Sequence, residues 1–256
     1  MRSEPDWQRD VNLLQQPRRQ SVPWAHVPVP RIAPKRIALV GPSRASLAVT
    51  VGSLIHDIAQ RGHHIICFAP ELGAKAATDA LMRLRAEVRN LPAFRQGFSP
   101  LADQMTIARL ASVFRSVQPD VVASYSPKAA LLAGIAGRMA GAQNIVAMIG
   151  ELGRGFEDAP DRSSRLTRQL QKAMLRLVFG LSHTAVFFNE ENHKLLHLLD
   201  LLPERLREFP MNGSGIDLAR FPHTPLPPLD RGIMFLYAGP LDRRFGIVEF
   251  CEARAA

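Results

Sequence analysis

The sequence has only two cysteines, no long apolar run and no apolar segment near its first residue. Cys67 and Cys251 lie far apart and lack metal-ligand spacing, which favours two buried thiols in a reducing compartment over a disulfide framework. No run approaches the roughly 18–20 apolar residues that span a bilayer. The first residues, MRSEPDWQRDVNLLQQPRRQ, also lack the apolar core of a secretory signal. We therefore expect a cytoplasmic protein.

The composition is that of a globular protein with a basic surplus. Hydrophobic residues make up 46% of the 256 residues and charged residues 21%, which permits a sizeable core. The formal net charge of +9 attracts nucleic acid, anionic lipid or phosphorylated small molecules. We expect no nucleic-acid partner, because basic and aromatic residues are not interleaved and no docking motif is recognisable.

Residues 1–34 differ from the rest of the chain. They contain six prolines and both tryptophans, Trp7 and Trp24. Prolines at this density oppose a long helix and favour extended backbone, so we predict a flexible arm. Two interpretations stay open: a disordered leader, or an arm that docks its tryptophans on a membrane surface or a partner.

From Lys35 onward, short apolar runs alternate with helical spacing. Continuous apolar strands alternating with helices predict a parallel sheet that is covered on both faces. The sequence thus predicts an α/β fold with a Rossmann-like, doubly wound parallel sheet over residues 35–221. Strands are predicted at 36–41, 63–70, 88–91, 120–126, 144–150, 183–189 and 206–212, and helices at 46–62, 71–87, 100–119, 127–141, 161–180 and 190–202.

The proline-rich stretch PHTPLPPLDRG, residues 222–232, is predicted to be a linker. After it, IMFLYAG resumes the strand pattern, so residues 233–256 are predicted to open a second domain.

Five motifs in order resemble the bacterial family-4 glycosyltransferases of the GT-B fold, of the capsule and exopolysaccharide type. The most specific is FPMNGSGIDLARFP, residues 209–222. The others are SVQPDVVASYSPKAALLAGIAGRMAGAQNIVAMIG (116–150), GELGRGF (150–156), VFFNEEN (186–192) and FLYAGPLDRRFGIVEFCEA (235–253).

The resemblance implies that residues 35–221 are the N-terminal, acceptor-binding half of a GT-B enzyme of cell-surface polysaccharide assembly. Residues 233–256 would then begin a truncated donor domain. The implied substrates are a nucleotide-sugar and a lipid-linked or saccharide acceptor at the inner face of the membrane, with no metal and no cofactor. Without a metal, basic side chains and helix N-termini stabilise the departing diphosphate.

On the donor side, this chain departs from the family pattern. Pro240 stands where the family has Arg, and Phe245 stands where it has Lys. The paired glutamates of the family's donor domain are not in the sequence, so we expect no sugar transfer by this chain alone. The alternative is a non-catalytic acceptor- or membrane-binding module that works with another glycosyltransferase, which would supply a donor domain. The candidate donor-side residues are Gly213, Ser214, Gly239, Arg243 and Arg244.

On the acceptor side, we predict six acceptor or phosphate contacts at the ends of strands. The turn after the first strand contains Gly, which lets backbone N–H groups approach a phosphate. Lys128 at a helix start has an open alternative, a solvated lysine. Glu151 is the candidate catalytic base, with an exposed loop acid as its alternative. The six contacts are Gly41, Ser43, Arg44, Ser126, Lys128 and Arg154.

One predicted helix carries basic residues on one side, and no acid occurs between Asp161 and Glu190. A basic amphipathic helix indicates a surface that faces anionic lipid, which predicts peripheral contact with the inner face of the membrane. The alternative is a helix packed by Leu166, Leu170, Ala173 and Leu177, with a solvated charged face. The basic residues are Arg162, Arg165, Arg168, Lys172 and Arg176.

Overall fold

The computed structural model describes residues 32–70, 75–91, 99–150, 152, 162–216, 221–225, 235–239, 241 and 243–253, without the side chains of residues 162–166 and 244. It has two compact units, the first ending at Gly215 and the second beginning at Ile216. The predicted arm thus falls almost wholly outside the described residues.

The first unit alternates strands and helices. Its strands are β1 (Arg36–Val40), β2 (His64–Pro70), β3 (Glu87–Leu91), β4 (Val121–Tyr125), β5 (Ile145–Ile149), β6 (Thr184–Phe187) and β7 (Arg207–Pro210). Its helices are α1 (Arg44–Thr50), α2 (Gly52–Gln60), α3 (Lys75–Arg83), α4 (Pro100–Val117), α5 (Pro127–Met139), α6 (Arg162–Leu181) and α7 (Glu190–Leu198).

All seven strands form one parallel sheet in the order β3-β2-β1-β4-β5-β6-β7. The central strand β1 pairs with β2 on one side and β4 on the other, so Leu39 lies between Cys67 and Ala123. The order reverses between β1 and β4, which is the switch point of a doubly wound fold. The predicted fold class is therefore confirmed.

Alternate residues of a strand pack into separate hydrophobic clusters on the two faces of the sheet, because successive side chains point to opposite faces. On one face, Ala38 and Val40 belong to a cluster with Phe114 of α4 and Leu132 of α5. On the other face, Leu39 belongs to a cluster with residues of α1, α2 and α3, among them Leu47, Ile55 and Leu81. Further along the sheet, α6 and α7 cover β5 and β6 through Leu175, Phe179 and Leu196.

The structure differs from the sequence prediction at three places. The helix predicted at 46–62 is two helices, broken at Val51, whose ψ of 15° is outside helical geometry and which precedes Gly52, a poor helix former. Cys67 is buried as expected, but Cys251 is exposed, so the expectation of two buried thiols is wrong for the second. Residues 235–239 are not a strand, because a strand needs a hydrogen-bonded neighbour and the described part of the second unit contains none.

The described part of the second unit contains a short 3₁₀ helix, Arg243–Phe245, and α8, Ile247–Glu252. Tyr237 and Phe250 are in ring contact, with centroids 5.6 Å apart. None of the residues of α8 is buried, which explains the exposure of Cys251.

Candidate functional site

The turns after β1 and β4 lie next to each other at the carboxyl edge of the sheet. Val40 pairs with Ser124, so the chain leaves both strands at the same level. The β1 turn contains Gly41 and Ser43, and the β4 turn contains Ser126. Because ligands of doubly wound folds bind outside the carboxyl ends of strands at the switch point, this edge is the candidate site.

Gly41 is required by packing. Its N–H donates to the carbonyl oxygen of Phe68, 3.0 Å away, which extends the ladder between β1 and β2. A Cβ at this position would lie 2.5 Å from Cγ and Cδ2 of Leu47, a fully buried residue of α1. A larger residue would therefore push α1 off the sheet. Its predicted role as a phosphate contact stays a prediction.

Ser43 and Arg44 start α1 and fix it in place. Ser43 is the N-cap, and its Oγ accepts the N–H of Ser46 at 3.0 Å. Arg44 is only 7% exposed, and its guanidinium donates to Oγ1 of Thr78 on α3 at 2.7 Å. The β1 turn thus holds a cationic group that is anchored to the neighbouring helix.

Ser126 caps α5 from a strained backbone conformation. Its φ of 93° and ψ of 149° lie in a region that is almost restricted to glycine. The Oγ accepts the N–H of Ala129 at 3.5 Å, and the backbone N–H donates to the carbonyl of Met148 at 3.3 Å. Such strain costs about 1–3 kcal/mol and is concentrated at binding and catalytic sites, which supports the prediction for Ser126.

Lys128 forms an ion pair that sequence reasoning did not find. Its Nζ lies 2.5 Å from Oδ2 of Asp103, and the two side chains are 12% and 11% exposed. Asp103 belongs to the first turn of α4, and its Oδ2 also accepts the N–H of Ser99 at 3.3 Å. Lys128 is therefore not the solvated lysine of the alternative interpretation. The pair joins the N-terminal turns of α4 and α5 at the carboxyl edge.

The carboxyl ends of β4, β5 and β6 form a second, aromatic part of this edge. The rings of Tyr125 and Phe188 stack with centroids 6.1 Å apart. Between them, a Cβ on Gly150 would lie 3.0 Å from the hydroxyl of Tyr125. Asn192 of α7 donates from Nδ2 to the carbonyl of Gly150 at 3.0 Å, and Asn189 caps α7 by accepting the N–H of Glu191 at 2.7 Å.

Helix α6 turns an apolar strip to the solvent. Leu170 and Leu177 are 63% and 58% exposed, and Ala173 between them is exposed as well. The residues that pack on the sheet are instead Leu175, Val178 and Phe179. The alternative in which α6 packs by its leucines is therefore wrong for these two.

The basic residues of α6 lie on a different side of the helix from that strip. Arg168 and Lys172 are partly buried and Arg176 is exposed. At about 100° per residue, these three follow one side of the helix, and Leu170 and Leu177 lie roughly 100–180° around the helix from them. The side chains of Arg162 and Arg165 lie outside the described residues.

A family comparison decides what this domain is. The model of the glycosyl transferase 4-like domain matches residues 46–210, more than half of the chain. The chain belongs to the glycosyl transferase 4-like family. The matched range extends from α1 to the end of β7 and so includes the turn at Ser126 and the Asp103–Lys128 pair. A comparison with curated protein sequences finds no match.

Three solved structures resemble parts of this chain. Sucrose-phosphate synthase from Thermosynechococcus elongatus aligns with a TM-score of 0.50 and 11% identity over 69% of this chain and 48% of that one. Anabaena HepE in complex with UDP and glucose gives 0.49 and 15%, over 75% and 47% of the two chains. A glycosyltransferase from Rickettsia africae ESF-5 gives 0.48 and 12%, over 69% and 43%. The chain spans less than half the length of each of these proteins.

The remaining predicted residues of this glycosyl transferase 4-like chain are divided among three places. Gly213 belongs to the first unit, where its φ is 83° and its N–H donates to the carbonyl of Phe188 at 2.9 Å, so Gly213 and Ser214 follow the aromatic part of the edge. Gly239 and Arg243 belong to the second unit. Outside the described residues lie Glu151, Arg154 and the side chain of Arg244, whose roles stay predictions.

Proposed function

We propose that this chain provides the acceptor-binding domain of a glycosyltransferase of cell-surface polysaccharide assembly. The complete reaction would move sugar from a nucleotide-sugar to a lipid-linked or saccharide acceptor. The observation that carries the proposal is the family match over residues 46–210, which includes β4 and its turn at the switch point.

The acceptor is assigned to the switch point because cationic and strained groups meet there. Arg44 provides positive charge beside the end of β1, which suits a diphosphate, whereas the charge of Lys128 beside β4 is balanced by Asp103. Asp103 keeps the Lys128 ammonium in one position, so its orientation is set before the acceptor binds. The stacked rings of Tyr125 and Phe188 offer an apolar wall for a sugar or a lipid.

A membrane surface is assigned to α6. Its exposed leucines form an apolar side, and Arg168, Lys172 and Arg176 form a separate basic side, two features of amphipathic helices that lie in the interface of an anionic bilayer. In the part of the chain that the structure describes, no helix is both long and apolar enough to cross a membrane. The contact proposed is peripheral, at an anionic inner face, where each basic residue contributes about 1 kcal/mol.

These 256 residues are further proposed not to transfer sugar by themselves. Pro240 and Phe245 replace the Arg and Lys that relatives place on the departing diphosphate, and neither side chain can donate a hydrogen bond. The donor contacts would then come from another polypeptide or domain.

The alternative is a non-catalytic module that binds an acceptor or a membrane and works with another glycosyltransferase. The solvent-facing apolar strip of α6 favours this alternative, because an exposed apolar surface can bind a membrane whether or not the chain catalyses a reaction.

Equilibrium binding of three ligands tests the proposal. The purified chain is titrated with a polyprenyl diphosphate-linked sugar in detergent, with nucleotide-sugars and with anionic vesicles, and sugar transfer is assayed in parallel. We expect saturable binding of the lipid-linked sugar and of vesicles, without transfer. Binding of vesicles alone would favour the membrane-binding module, and robust transfer by the chain alone would contradict the proposed inactivity.

A further inference from the structure

Three metal-ligating side chains converge between α7 and β7, far along the sheet from the switch point. Nε2 of His193 lies 2.6 Å from Oε2 of Glu208, and Nε2 of His197 lies 2.7 Å from the same oxygen. The two imidazole nitrogens are 3.2 Å apart. The three ligand atoms therefore surround one point.

Rigid elements hold these side chains. His193 and His197 are four residues apart on α7 and so project from one face of the helix. The ring of His193 packs on the fully buried Phe187 with centroids 4.9 Å apart. Glu208 lies on β7, where pairing with Ala185 of β6 fixes its height along the sheet.

The electrostatics favour a cation at this point. Oε2 of Glu208 and the two imidazole nitrogens are lone-pair donors, and all three lie within 3.2 Å of one another, which suits a shared cation.

We propose that His193, His197 and Glu208 bind one Zn²⁺ ion. Two imidazole nitrogens and one carboxylate oxygen suit zinc, whereas magnesium and calcium prefer all-oxygen sites. In tetrahedral coordination with bonds of about 2.0–2.1 Å, ligand atoms lie roughly 3.3 Å apart. The distance between the two imidazole nitrogens, 3.2 Å, already meets this requirement, and Oε2 of Glu208 has to move away from them by about 0.6–0.7 Å.

The ion has a path to the site and an open coordination position. His197 is 54% exposed, while His193 and Glu208 are 18% and 23% exposed. Zinc can therefore enter from the solvent side, where water would be its fourth ligand. This site is separate from the sugar-transfer chemistry, for which the family resemblance implies no metal.

Zinc here would fasten β7 to α7. After β7, Met211 donates to the carbonyl of Phe187 and Gly213 to that of Phe188, so the strand leads directly into the Gly213–Gly215 turn. A bound ion would steady this edge strand and with it the turn at the carboxyl edge.

Zinc titration of the metal-stripped, full 256-residue chain tests the site. We expect one Zn²⁺ per chain by calorimetry, a higher melting temperature with zinc, and intense visible absorption when Co²⁺ is used as a four-coordinate probe. His197→Ala and Glu208→Gln should each weaken zinc binding by at least about 100-fold. Both side chains are partly exposed, so these variants should fold even if His193→Ala, which removes the contact with Phe187, does not.

His56→Ala is the matched control, because His56 is an exposed histidine on a different helix, α2. This variant should bind zinc as the parent chain does. The proposal is overturned if the parent chain binds no zinc, or if His197→Ala and Glu208→Gln bind it as tightly as His56→Ala.

Discussion

Lys128 and Asp103 form a largely buried ion pair that joins the first turns of α5 and α4, with 2.5 Å between the ammonium nitrogen and the carboxylate oxygen. Removing Asp103 takes away the carboxylate that balances the buried Lys128 charge. Asp103→Ala should therefore lower the free energy of unfolding by about 3–5 kcal/mol, measured in urea. The double variant Asp103→Leu/Lys128→Met should recover much of that loss, since it leaves no charge behind.

The control for this pair is Lys194→Ala, which removes a solvent-exposed ion pair with Glu190 on α7. It should not change the unfolding midpoint measurably, since exposed pairs contribute little. Equal effects of Asp103→Ala and Lys194→Ala would show that the buried pair has no special energetic role.

Ser126 should prefer replacement by glycine over alanine. At φ 93° and ψ 149°, glycine has no Cβ to strain, whereas alanine keeps the strain and loses the cap. Ser126→Gly should be more stable than Ser126→Ala by about 1–3 kcal/mol in chemical denaturation. If the two variants were equally stable, the backbone at this turn would not be strained.

Cys67 should make stability fall at high pH. Burial raises the pKa of its thiol to about 12, whereas an unfolded thiol titrates near about 8.5. Between these two pKa values the thiol is ionised in the unfolded chain but protonated in the folded chain. The free energy of unfolding is therefore unaffected below the unfolded-state pKa and falls as pH rises towards the folded-state pKa. The parent chain should lose roughly 2 kcal/mol more than Cys67→Ala between about pH 8.5 and 10.

Thiol labelling gives an independent check on the cysteines. Native protein should react at the exposed Cys251 and only after unfolding at Cys67. Rapid native labelling of Cys67, or parallel pH profiles for Cys67→Ala and the parent chain, would contradict its burial.

The exposed strip of α6 should control vesicle binding. Leu170→Gln/Leu177→Gln should weaken binding to anionic vesicles by at least about tenfold without lowering stability, because both side chains already face solvent. Arg176→Glu should weaken binding to anionic but not to neutral vesicles, and added salt should reduce the difference.

Leu198→Gln provides the comparison for the leucine variants, since Leu198 is an 83% exposed leucine on α7. If Leu198→Gln weakened vesicle binding as much as Leu170→Gln/Leu177→Gln does, the assignment of the membrane-binding surface to α6 would be wrong.

The sheet was predictable from sequence because its inner strands are buried on both faces and so appear as continuous apolar runs, as in HHIICFAP. The same argument failed at residues 235–239, where an apolar run has no described neighbour to pair with. Local signals also located the starts of two helices, predicted at 127 and 190 and found at Pro127 and Glu190, since helix caps depend on adjacent residues.

Tertiary pairs were not predictable in this way. Asp103 lies 25 residues before Lys128, and only the packing of α4 beside α5 brings them together. The spacing of His193 and His197 was a visible signal, but Glu208 joins them only because β7 pairs with β6. The exposure of Leu170 and Leu177 depends on which side of α6 meets the sheet, and the alternative interpretation, in which these leucines pack on it, was wrong.

Photocrosslinking tests the acceptor site most directly. The chain is irradiated with a polyprenyl diphosphate-linked sugar that carries a photoreactive group on the sugar, and the labelled peptides are identified by mass spectrometry. The account predicts labels in peptides that contain residues 41–44 and 126–128, at the carboxyl edge of β1 and β4. Labels confined to residues 118–120 and 141–144, at the opposite edge of the sheet, would contradict it.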